Sequence, residues 1–104
     1  MNEYELDRIV KAVAREFGVD PVHVLGKRRT QPLATARLAA YYVTRKVTMA
    51  SFVDLGVYFG RTHSTLVIGY SKVRRWMRSD DERSRKIGSA LKAGQDAKGS
   101  SGEH

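Results

Sequence analysis

Ser51-Phe52-Val53-Asp54-Leu55-Gly56, followed by Phe59-Gly60-Arg61-Thr62-His63-Ser64-Thr65-Leu66, is the stretch that decides the fold. Ser51 with Asp54 three residues on is an approximate capping box, predicting a short helix over about 51–58 that turns Phe52, Leu55 and Phe59 inward. Phe59-Gly60 breaks it. A longer helix starts near Thr62 and carries Leu66, Tyr70, Val73 and Met77 at helical spacing. A short helix, a glycine-containing turn and a longer helix make a helix-turn-helix. The longer helix opens on Arg61-Thr62-His63-Ser64-Thr65, all polar, before any large apolar residue. One Ser or Thr would cap the helix, and this run exceeds that need. Hydroxyls and imidazole can meet base edges, threonine methyls can touch a thymine methyl, and a helix N-terminus favours phosphate.

Working toward the N-terminus, Leu33, Ala36, Ala40, Val43 and Val47 supply the buried stripe of a helix from Leu33 to about Lys46, with Arg37, Tyr41 and Thr44 on another face. Lys27-Arg28-Arg29-Thr30-Gln31-Pro32 holds no apolar side chain apart from proline and reads as an exposed basic loop opened by Gly26. Asp20-Pro21 is a cap and first-turn proline for a short helix over Asp20 to Leu25. Before it, Leu6, Ile9, Val10, Val13 and Phe17 make an amphipathic first helix that Gly18 ends. Toward the C-terminus, Ser79-Asp80-Asp81-Glu82 reads as a capping box for a sixth helix through about Leu91. Residues 1–92 thus form one all-α domain of about six helices. Residues 93–104, rich in Gly, Ser, Ala and charge, are expected to be a disordered tail.

Charge is distributed unevenly. Lys27, Arg28, Arg29, Arg37, Arg45 and Lys46 face no acid between residues 27 and 46, a local charge of +6 in a chain whose formal net charge is +8. Residues 47–78 add Arg61, Lys72, Arg74, Arg75 and Arg78 against Asp54 alone. Such a basic middle is the footprint of a polyanion binder. The absence of cysteine excludes disulfides, thiolate metal sites and Cys nucleophiles. No apolar run approaches the length of a membrane span, and Asn2-Glu3-Tyr4-Glu5 does not begin a signal peptide. His63 is the only histidine in a plausible site and has no carboxylate pair near it in sequence, so neither an enzyme nor a metal site is expected. Tyr41, Tyr42, Tyr58 and Tyr70, imaginable as base-stacking platforms, sit at helical positions beside apolar residues and read as packing groups.

Gly60-Arg61-Thr62-His63-Ser64-Thr65-Leu66 resembles the signature of the C-terminal DNA-binding domain of the bacterial replication initiator DnaA, Gly-Gly-Arg-Asp-His-Ser/Thr-Thr-Val. Gly26-Lys27-Arg28-Arg29 is similar to that domain's basic loop, Ala34 through Tyr42 to its long third helix, and Ser51 through Gly56 to the helix before the turn. The resemblance covers roughly residues 5–92 and implies a Trp-repressor-like, DnaA C-terminal-like fold that binds double-stranded DNA. It further implies that Arg29 enters the minor groove and that Lys27, Arg28 and Arg37 approach the phosphate backbone. Arg61, Thr62, His63, Ser64 and Thr65 would lie in the major groove, with Lys72 on phosphate. No nucleotide or other cofactor is implied, because no phosphate-binding Gly-x-x-x-x-Gly-Lys-Ser/Thr loop exists in the chain.

Two positions depart from the family pattern. Thr62 replaces the acid suited to accepting a hydrogen bond from cytosine N4, and the turn is one glycine shorter. Met1 directly before a capped helix points to a free-standing chain, expected to be a cytoplasmic, nucleoid-associated monomer. The alternative reading is a small transcription regulator, or a nucleoid or RNA-binding accessory protein without ATPase activity.

Overall fold

In the computed structural model, which describes residues 2–99, the chain forms α1 (Glu3–Phe17), α2 (Pro21–Leu25), α3 (Leu33–Thr48), α4 (Phe52–Phe59), α5 (His63–Trp76) and α6 (Glu82–Gly99). The starts follow local chemistry. Asn2 accepts from the Glu5 amide, Asp20 from Val22, Ser51 from Asp54 and Thr62 from Thr65, so side-chain oxygens satisfy amides that the first turn leaves unpaired. Pro32 provides no such cap to α3. Gln31 substitutes, its Oε1 accepting from the Thr35 amide at 3.3 Å and the Thr35 hydroxyl at 2.9 Å. Gly18 and Gly60 close α1 and α4 in the left-handed region, at φ 67° in both cases.

The amphipathic stripe of α1 is buried as its spacing predicts, with Leu6, Ile9, Val10, Val13 and Phe17 all in the core. The central helix departs from expectation. Arg37, Tyr41 and Thr44 are buried together with the apolar stripe, because α3 is packed by α1, α2, α4, α5 and α6 and has no broad solvent face. Thr44 is satisfied within its own helix, its hydroxyl donating to the Ala40 carbonyl at 2.7 Å.

Two expectations at the C-terminal side need correction. The capping box of α6 lies two residues later than Ser79–Glu82. Asp81 accepts from the Ser84 amide at 2.8 Å, while the Ser84 hydroxyl accepts from the Asp81 amide at 3.0 Å. The disordered tail expected from residue 93 is helix through Gly99, while residues 100–104 of that expectation lie outside the described residues. The physical reason is close approach. A Cβ on Gly94 would stand 2.5 Å from Val43 Cγ1 and 3.3 Å from Ile9, so glycine lets α6 lie against α1 and α3. Ala97 packs on the same core and Lys98 donates to the Val47 carbonyl at 3.1 Å.

Candidate nucleic-acid interface

The helix-turn-helix is built on a close approach. Gly56 sits in the middle of α4, where glycine weakens a helix by about 1 kcal/mol relative to alanine. A Cβ there would be 2.7 Å from the Arg61 carbonyl oxygen and 3.3 Å from the His63 amide. Only a hydrogen allows the turn to fold back onto α4. The Arg61 amide then donates to the Gly56 carbonyl at 2.9 Å, fixing the entry to α5. On its inner side α5 approaches α3 at Gly69, where a Cβ would meet Tyr41 at 2.8 Å and Leu38 at 3.1 Å. Tyr41 in turn packs edge-on against Phe59, ring centroids 4.8 Å apart. The first turn of α5 therefore stands at a fixed angle on the core.

On that first turn His63, Ser64 and Thr65 are exposed. His63 and Ser64 make no hydrogen bond through their side chains among the described residues, leaving both groups available to a ligand. Thr62 is the N-cap, and its hydroxyl lies 3.1 Å from that of Thr65. One turn further, Ile68 is 67% exposed, a large apolar side chain in the midst of these polar groups.

The basic loop comes to the same place. Lys27, Arg29, Arg61, Thr62, Thr65 and Lys72 share one open groove of about 730 Å³, floored by Ala34, Arg37, Leu38 and Tyr41. Residues more than thirty apart in the chain are thus brought together. Arg28 is exposed on the loop but does not line the groove. Arg61 bridges the two halves, its Nη2 donating to the Gly26 carbonyl at 2.9 Å.

Arg37 is placed differently from a phosphate-contacting side chain. Its guanidinium is turned into the protein, 8% exposed, and donates to the carbonyls of Val24 (2.9 Å), His23 (2.9 Å) and Arg28. Those carbonyls close α2 and open the basic loop, so Arg37 holds the loop against α3. Burial lowers its pKa from the usual arginine value; the charge of Tyr41 opposes this, and Arg61 and Arg29 lower it further. Tyr41 is raised by its own burial, against the influence of Arg61 and Arg37. No Asp or Glu is among the residues that line the groove around Arg29, Arg37 and Arg61.

Sequence reasoning missed Gly56, the task of Arg37 and the exposure of Ile68. A glycine inside a helix as short as α4 was the available signal for the first. Ile68 stands two residues from Leu66 and so off the stripe Leu66, Tyr70, Val73 and Met77, which was its signal, while nothing in the local pattern marks the task of Arg37. Among the described residues no three His, Asp or Glu side chains are grouped to hold a metal, and no helix is long and apolar enough to cross a membrane.

A close-packed turn, a polar first turn on the following helix and a basic loop beside it define a helix-turn-helix domain of the DNA-binding type. Residues 6–73 match the family described as the bacterial dnaA protein helix-turn-helix, and the chain belongs to that family. It is 32% identical over 83 residues to chromosomal replication initiator protein DnaA 1 of Protochlamydia amoebophila, covering 80% of this chain and 18% of that protein. The DnaA of Thermodesulfovibrio yellowstonii is 32% identical over 84% of this chain and 20% of its own length. That of Thermus thermophilus is 35% identical over 77% of this chain and 19% of its own. The chain spans about a fifth of the length of these relatives.

Proposed function

We propose that this protein is a monomeric, sequence-selective binder of double-stranded DNA, acting on chromosomal DNA in the cytoplasm in the setting of replication initiation. The observation that carries the reading is the single acid-free groove joining the basic loop to the first turn of α5. In the complex, His63, Ser64, Thr65 and Thr62 meet base edges in the major groove, and Ile68 follows them inward. Arg29 enters the adjacent minor groove, where a narrowed A·T tract offers the strongest negative potential. Lys27, Arg28, Arg61 and Lys72 meet phosphates. Arg37 acts by holding the loop that presents Arg28 and Arg29. The family resemblance supports the replication setting, since the matched relatives are named as chromosomal replication initiators.

Selection of bound duplexes from a random pool, at one fixed salt concentration, tests this. Enrichment of one motif is the expected result, with a log–log salt slope near −3 to −4 on a duplex that ends at the motif's edges, from about four phosphate contacts. Recovery of unenriched DNA, or a slope shallower than about −2, would sink the reading. Thr62→Asp sharpens the test. Aspartate caps a helix as well as threonine does, so α5 should persist. The carboxylate can accept from cytosine N4, and the selected motif should gain a cytosine preference of about 1–3 kcal/mol at one base pair. An unchanged motif with binding retained would remove position 62 from base contact.

A further inference from the structure

Beyond the groove, a second set of cations gathers at the far end of α5. Arg74, Arg75 and Arg78 surround a shallow depression of about 240 Å³ together with Ser71. All three arginines are exposed, and none makes an ion pair or side-chain hydrogen bond among the described residues. The next acid along the chain, Asp80, is engaged by Arg85 at 3.1 Å. Three guanidiniums sharing a depression without an acid repel one another, and an anion between them relieves that repulsion. Guanidinium is also the side-chain group that pairs with phosphate through two parallel hydrogen bonds.

Their position on the helix identifies the phosphate. Ser64, Ile68, Ser71 and Arg75 follow one another at steps of three or four residues, so they form one ridge of α5, and Arg78 lies in the turn just past its end at Trp76. The ridge begins at the turn assigned to base edges and ends at the arginines, about 16–20 Å further along the axis. A major groove is about 12 Å wide. With α5 directed across the groove, a first turn on base edges carries the far end out of the groove and onto the bounding backbone. We infer that Arg75 and Arg78, with Arg74 beside them, form a second phosphate site that takes consecutive phosphodiesters of one strand in the same duplex, just outside the base pairs that α5 reads. The inference rests on the DNA-binding reading above and extends it to a contact set separate from Lys27, Arg28 and Lys72.

The test uses the full chain and the double variant R75Q/R78Q, whose glutamines keep helix propensity while removing charge. Two duplexes carry the selected motif, one ending at its edges and one extended by a helical turn on each side. On the extended duplex the variant should show a salt slope shallower by about 2, with its base preference unchanged. On the short duplex the two proteins should bind alike. Ethylation of flanking phosphates should weaken the wild type and leave the variant indifferent. Circular dichroism is expected to show the same helix content in both. Equal slopes on the extended duplex, with binding intact, would overturn this inference alone and make the arginines a solvated face. A complex of one protein with two duplexes, lost in the variant, would also overturn it, by assigning the site to a second DNA molecule. Failure of the wild type to bind duplex at all would instead strike the DNA-binding reading beneath it.

Discussion

Arg37→Met is expected to destabilise the domain by about 3 kcal/mol and to remove most sequence-selective binding, although Arg37 touches no DNA in the proposed complex. Methionine fills much of the same space, but the carbonyls of His23, Val24 and Arg28 lose their donors. A hydrogen bond to a charged group contributes about 1.5–3 kcal/mol, and water reaching the exposed loop restores only part of it. For a domain of this size the change corresponds to a fall in Tm of roughly 10–20 °C. Thermal denaturation beside duplex titration reads both effects. Arg37→Lys separates positioning from direct phosphate contact. A compact ammonium cannot reproduce a fork aimed at carbonyls on two segments, so lysine should rescue little. Full rescue by lysine, or normal stability in the methionine variant, would return Arg37 to the backbone-contacting group.

Gly56→Val is expected to cost about 1–3 kcal/mol through overpacking and to lower affinity for the selected motif by tenfold or more. The first added carbon would stand 2.7 Å from the Arg61 carbonyl, so the turn must open and the first turn of α5 must move with it. Affinity for random DNA should fall far less, since Lys27, Arg28, Arg29 and Lys72 remain. Gly60→Asn provides the comparison. Nothing lies within 4 Å of a Cβ at Gly60, and asparagine tolerates the left-handed conformation there. Its effect should stay well below that of valine at 56. Preserved discrimination in Gly56→Val would show that the turn can open without moving the reading helix.

The sequence carried most of this architecture wherever one face of a helix meets solvent. Such a face writes its boundary into the spacing, as in α1, and caps such as Ser51, Asp20 and Thr62 mark where each helix begins. The meeting of the basic loop with the first turn of α5 was legible through composition and motif together. Where packing surrounds an element, spacing is silent. Nearly every side of α3 is covered, so its periodicity could not show that Arg37 points inward. The end of α6 failed for the opposite reason. Gly94 and Ala97 look like low-complexity filler, yet small size is what lets that segment lie on Val43 and Ile9.

The hydrogen bond from Arg61 to Gly26 ties the turn of the helix-turn-helix to the base of the loop. It makes the two DNA-reading elements the jaws of one caliper with a set gap. In the proposed complex, the base pairs under Arg29 and those under His63 must lie a fixed number of steps apart. One inserted base pair shifts the far jaw's target by about 3.4 Å and a tenth of a turn, beyond what a tethered arginine can absorb. Two half-motifs at the wrong separation would then be worth little more to this protein than one.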